Sequence, residues 1–136
     1  MNNKTSISAG LAVYDLLKAD STVSETVTDI FPVLINSDED VRLPYICFNR
    51  ERTDHIPVKT GVPGSDTATI VVAVYWDTDN YTALIALSEA VRGALEYKTY
   101  ESQDGISMRS CRFTDSREYA DEEGHVVEEL IFTLKT

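Results

Sequence analysis

Two cysteines, Cys47 and Cys111, are too few in a chain of 136 residues to make a disulfide framework, and each lies in a strand-like segment with no second cysteine nearby. A reducing compartment suits such a chain, with both thiols buried. No apolar run approaches the roughly 20 residues that a membrane helix needs. The stretch from Ile7 to Val13 is interrupted by Ser8 and Gly10 and closed off by Asp15, so no signal peptide and no membrane span are expected. Base is scarce as well, twelve Lys and Arg against twenty-three Asp and Glu, for a formal net charge of −11. A surface of that sign repels phosphate backbones and anionic lipid, which disfavours nucleic-acid binding, sequence-specific binding included. Only six glycines and four prolines interrupt the chain, and 43% of it is hydrophobic, a composition neither collagen-like nor disordered. Residues 1–136 are therefore expected to fold as one domain that buries roughly two-thirds of its unfolded surface.

Catalytic motifs are missing too. Gly61-Val62-Pro63-Gly64-Ser65 reads as a turn and not as a Gly-x-Ser-x-Gly nucleophile elbow, and no glycine-rich phosphate cradle is present. Asp77 and Asp79 have the alternate spacing that opens a calcium loop. The sixth and twelfth positions of such a loop fall on Thr82 and Ser88, where a glycine and a bidentate carboxylate are required. Helix capping explains the two aspartates better. His55 and His125 are far apart and lack a partner at ligand spacing, so they are expected to be ordinary exposed histidines. The carboxylates of Glu122-Glu123 and Glu128-Glu129 are neighbours in a turn or strand, where solvent or opposite faces separate them. No catalytic residue, metal site or cofactor is expected.

What remains is hydrophobic patterning. Ile7, Leu11, Tyr14 and Leu17 recur at helical spacing, predicting a first helix from Ser6 to about Asp20. Asp20–Asp29 reads as a turn or short helix. Ile30–Ile35 reads as an edge strand, because Pro32 removes a ladder donor. Tyr45–Arg52 alternates as a strand, and Thr53–Ser65, with two prolines and two glycines, reads as a long hairpin loop. Thr67–Trp76 is apolar on both alternating faces, which predicts a central strand covered on both sides. Tyr81, Leu84, Ile85, Ser88, Val91 and Leu95 trace a helix over 80–95 behind the caps at 77–80. Ile106–Thr114 and a final strand after Gly124 form a hairpin turned at 121–124. The order α-β-β-β-α-β-β gives an α+β fold: a mainly antiparallel sheet of four to five strands with two helices on one face.

Charge is unevenly spread over these elements. Between Asp115 and Glu129 seven acids (Asp115, Glu118, Asp121, Glu122, Glu123, Glu128, Glu129) accompany the single base Arg117. Bases gather elsewhere, at Arg50, Arg52 and Lys59 with His55, and at Arg109 and Arg112. A subunit that is acidic in one place and basic in another attracts a copy of itself head to tail, and such contacts close into a ring when the rotation divides a full turn. Arg50, Arg52, His55, Lys59, Arg109, Arg112, Glu122 and Glu123 are the candidate interface residues. The competing reading is that these charges merely keep a monomer soluble.

The succession of segments resembles a known family. An amphipathic helix leads to Ile30-Phe31-Pro32, then to Leu43-Pro44-Tyr45-Ile46 opening a strand that ends in Arg50. A long loop, the strand Ile70-Val71-Val72-Ala73-Val74-Tyr75 and a helix with Leu87-Ser88-Glu89-Ala90-Val91-Arg92-Gly93-Ala94-Leu95 follow. This is similar to the small tail-completion or tail-terminator proteins of tailed bacteriophages and prophages. The resemblance implies a non-enzymatic structural protein, assembled in the bacterial cytoplasm and carried in the virion tail. It implies a hexameric ring that caps the tail tube and meets the head-tail connector protein. Acids lining the hole of such a ring would repel passing DNA, and the Thr53–Ser65 loop would order on docking. Two other classes stand beside it: a small-molecule-binding or regulatory module, which needs a pocket between helix and sheet, and an enzyme with a dispersed site, which needs shifted titratable groups in one cleft.

Overall fold

A computed structural model describes residues 9–32, 42–56, 65–102 and 107–135. Its elements are α1 (Ala9–Ala19), α2 (Ser21–Thr26), β1 (Asp29–Pro32), β2 (Tyr45–Ile56), β3 (Ser65–Trp76), α3 (Tyr81–Leu95), β4 (Tyr100–Glu101), β5 (Ser107–Met108), β6 (Ser110–Ala120) and β7 (Val126–Lys135). The fold is α+β. Five strands form one sheet in the order β1-β2-β3-β7-β6, and β4 and β5 make a separate two-stranded ribbon. All ladders of the main sheet are antiparallel except the short parallel pairing of β1 on β2. No helix of the described residues is long and apolar enough to cross a membrane.

The core lies between the helices and one face of the sheet. Ala68, Ile70, Val72 and Val74 of β3 meet Leu84, Leu87, Val91 and Leu95 of α3, with Ile46 and Phe48 on one flank and Leu130, Phe132 and Leu134 on the other. The opposite face carries Tyr45, Cys47, Val71, Ala73, Tyr75, Val127, Glu129 and Ile131, and the described helices do not cover it. The central strand is therefore packed by helices on one side and not on two. Its second face closes instead under its own aromatic side chains: Tyr45 and Tyr75 stack with ring centroids 4.7 Å apart, and Phe31 meets Tyr45 edge-on at 6.3 Å. Ala73, Cys47 and Val127 are buried beneath them.

Each helix sits slightly rotated from its expected stripe. Ala9, Ala12, Val13 and Leu17 form the buried side of α1, because small residues let it approach the sheet closely, whereas Leu11 is 55% exposed. In α3 the buried side is Leu84, Leu87, Ser88, Val91 and Leu95, which leaves Tyr81 49% and Ile85 37% exposed. The short helix α2 forms because the Asp20 carboxylate accepts from the Val23 backbone N–H at 3.0 Å and Val23 is fully buried. Asp77 likewise accepts from the Asp79 N–H at 3.3 Å, capping the 3-10 turn Thr78–Asn80.

Several expected boundaries move. β2 runs through Thr53–Ile56, paired with Ser65–Ala68 of β3, so the hairpin loop is shorter than Thr53–Ser65. Long-range ladder bonds, with a bulge at Glu51, override the local turn composition there. The remaining loop residues, 57–64, lie outside the described residues, as do 33–35 and Ile106. β6 extends to Ala120, well past Thr114, because β7 offers a partner along its whole length. Trp76, expected in the core, is only half-buried at the end of its strand.

Candidate functional site

The strands sort charge by height. The ladder rung Trp76–Val126–Ala120 marks one end of the sheet, and Thr67–Lys135–Ser110 marks the other. Eleven residues of β6 separate the two ends, roughly 33 Å of extended chain at about 3.3 Å per residue. At the first end stand Asp121, Glu122 and Glu123 in the β6–β7 turn, with Glu118 and Glu128 just inside it. Arg109, Arg112 and Lys135 gather at the second, while Arg50, Arg52 and His55, on the half of β2 nearer that end, are interleaved with Glu51, Asp54 and, across the ladder, Asp66. The predicted acids and bases thus fall at opposite ends of the strands more than on opposite edges of the sheet. β6, itself an edge strand, carries both signs along its length.

The turn at the acidic end is held by its own carboxylate. Asp121 Oδ1 accepts from the backbone N–H groups of Glu123 at 3.0 Å and His125 at 2.8 Å, and Oδ2 lies 3.2 Å from His125 Nδ1. Gly124 adopts φ 84°, a left-handed geometry that glycine takes without strain. This arrangement points Glu122 and Glu123 outward, and both are exposed.

Inside the turn the strand period separates two sets of groups. On the helix side Glu118 stands opposite Glu128, and the Tyr81 hydroxyl at the start of α3 donates to Glu118 Oε2 at 2.8 Å. Burial, then the hydrogen bond and charge of Glu118, push the Glu128 carboxyl up to about 7. On the other face Arg117 Nε donates to Glu129 Oε1 at 2.5 Å, and the Tyr119 hydroxyl donates to Glu129 Oε2 at 3.2 Å. The carboxylates that the fold sets opposite each other are Glu118 and Glu128, and their only sequence signal is equal distance from the β6–β7 turn.

The basic residues are less uniform. Arg52 lies 2.7 Å from Asp54, which holds its guanidinium above the usual range, and His55 Nδ1 lies 2.5 Å from Asp66 Oδ1. Arg50 donates to the Thr53 hydroxyl. Arg109 and Arg112 are exposed at the start of β6. Lys59 lies outside the described residues.

Among the described residues the layer between helices and sheet is filled by buried side chains, and surface clefts at its rim include one of about 220 Å³ beside Lys18, Ser24 and Asp29 and one of about 340 Å³ lined by Gly10, Leu11, Tyr14, Pro32 and Phe48. Among the described residues the shifted phenols of Tyr45, Tyr75 and Tyr119 share the helix-free face of the sheet and line neither of these clefts. Burial pushes the Tyr45 phenol up to about 12 and the Cys111 thiol up to about 12, and also raises Tyr75, while Glu128 lies apart in the hairpin stem.

Comparison with known proteins gives one family and one fold. The family described as "Tail completion protein gp17" matches residues 11–132. No curated protein matches the chain. A chain of the solved "Virion of native gene transfer agent (GTA) particle" shares the fold, with a TM-score of 0.75 at 20% identity over 90% of this chain and 90% of that one.

Proposed function

This chain belongs to the tail completion protein gp17 family, structural proteins of phage tails, and from that membership we propose that its copies form a ring, a hexamer, which caps the tail tube and joins it to the head-tail connector. The match over residues 11–132 carries this reading. Residues 1–136 act in it as one domain. The work is done by fitted surfaces, with no catalytic residue or cofactor. Assembly takes place in the bacterial cytoplasm, and the finished ring stays in the virion tail. The solved gene transfer agent particle is itself a virion, which supports that location.

Charge segregation supplies the contacts. Glu122 and Glu123 at one end of the strands and Arg109 and Arg112 at the other suit head-to-tail pairing, with Arg50, Arg52, His55 and Lys59 adding to the basic side. Any acids left facing the hole repel the DNA that passes through. The tube protein and the connector are the two other partners, met on opposite rims of the ring.

The test is charge reversal. Glu122→Lys/Glu123→Lys and Arg109→Glu/Arg112→Glu should each prevent ring assembly on purified tail tubes, read by electron microscopy and native mass, and mixing the two variants should restore mixed rings. Wild-type assembly should also weaken with added salt, since exposed pairs are screened within about 8–10 Å. Rings of normal yield from both variants alone would remove these residues from the contact.

A further inference from the structure

Tyr97 is 80% exposed and its backbone is left-handed, with φ 64°. It follows the end of α3, where Glu96 N–H bonds back to Arg92 O at 2.8 Å, and its own N–H donates to Cys111 O of β6 at 2.8 Å. That position after a helix is the one glycine ordinarily fills, because a Cβ there crowds the following carbonyl. The turn therefore needs the conformation, but nothing in the turn needs a tyrosine. The Cβ strains the backbone of the lone subunit, and the exposed aromatic ring returns almost no burial to it. Both ends of the turn are pinned, so the ring projects from a fixed base. Strain kept where it does not serve the fold marks a functional contact.

Tyr97 stands beside β6, and towards the opposite edge of the sheet, at β1 and β2, is a recess of matching character. Gly10, Leu11, Tyr14, Pro32 and Phe48 line the apolar cleft of about 340 Å³ where α1 meets β1 and β2. Leu11 forms its open lip, and a Cβ on Gly10 would already touch the Phe48 ring at 3.6 Å. Charge agrees as well. Lys98 is exposed beside Tyr97, and Asp15, exposed one helical turn beyond Leu11, is held in place by the Tyr100 hydroxyl that donates to it.

We propose that Tyr97 of one copy seats in the Gly10–Leu11–Tyr14–Pro32–Phe48 cleft of a second copy, with Lys98 meeting Asp15. This deepens the ring reading and rests on it for the identity of the partner. Tyrosine is a frequent anchor of protein interfaces, since it buries roughly 150–250 Å² with few rotatable bonds. A stable interface needs about 1,000 Å² or more, so Tyr97 is the anchor within a larger contact that the charged ends complete. Repeated from copy to copy the contact propagates and closes a ring, whereas exchanged reciprocally it closes a dimer.

The test places p-benzoylphenylalanine at position 97 of the full chain. Irradiation at high concentration and on tail tubes should cross-link it to Leu11, Tyr14 or Phe48 of a second copy. Tyr97→Gly and Leu11→Arg, both at exposed positions, should fold with normal circular dichroism and associate at least tenfold more weakly. Mixed together they retain one intact contact, and should form pairs but no rings. Cross-links to the cleft with particles no larger than dimers would keep this contact and sink the ring. Rings with cross-links elsewhere, or undiminished association of both variants, would sink the contact and keep the ring. No cross-link to a second copy would overturn the proposal.

Discussion

Glu118 and Glu128 face each other across the β6–β7 ladder on the helix side of the sheet, and the Tyr81 hydroxyl donates to the former. Like charges directly opposite in a sheet destabilise it when both are ionised. Here burial, then the hydrogen bond and charge of Glu118, raise the Glu128 carboxyl to about 7, which favours its neutral form near neutrality.

The pair should make stability depend on pH. In the folded chain Glu128 keeps its proton to about 7, against an ordinary value of 4.5. The native state therefore binds more protons between these values, and this contribution is complete below the lower value and lost as pH rises through the upper. Glu128→Gln keeps the hydrogen bond and removes the charge. It should stabilise the protein by about 1 kcal/mol at pH 8, a figure already reduced for solvent screening, and have no effect at pH 4. Urea unfolding of both proteins at the two pH values reads this, and an equal difference at both would disprove the raised value of Glu128.

Ser88 sits in the buried side of α3, 7% exposed, and its hydroxyl oxygen has no hydrogen-bond partner among the described groups. A buried hydroxyl without a partner costs about 1–3 kcal/mol, and alanine is the better helix former. Ser88→Ala should accordingly raise stability by about 1 kcal/mol. A loss on chemical denaturation would mean that the hydroxyl is satisfied.

Two aromatic truncations should differ because burial differs. Phe132 is fully buried and meets Phe113 edge-on at 5.7 Å. Phe132→Ala should cost about 3–5 kcal/mol in chemical denaturation. Trp76→Ala should cost less, since its ring stands half-buried at the sheet's end. Equal losses would place Trp76 as deep in the core as its alternation alone suggests.

The readable parts were those with local causes. The helix over 80–95 and the strand ending at Trp76 follow from periods of 3.6 and 2, and Asp20 and Asp77 cap the turns they precede. The unreadable parts depended on partners distant in the chain. Thr53–Ile56 carries loop composition yet is strand because β3 pairs with it, and Leu11 fits the apolar period yet faces outward because Ala9 and Ala12 allow α1 to pack more closely. Tyr97 has no glycine to announce its left-handed turn, which the Lys98 N–H to Leu95 O bond closes and the Tyr97 N–H to Cys111 O bond ties to another strand.

By itself the sequence determined the α+β class, the order of elements and the crowding of acids into one hairpin, because each of these is a sum over neighbours in the chain. Only the tertiary structure decided that helices cover one face of β3 while stacked tyrosines close the other. It alone set acids and bases at opposite ends of the strands and brought Glu118 against Glu128. Those outcomes depend on sheet order and register, and a shift of one residue along a strand turns each of its side chains to the other face.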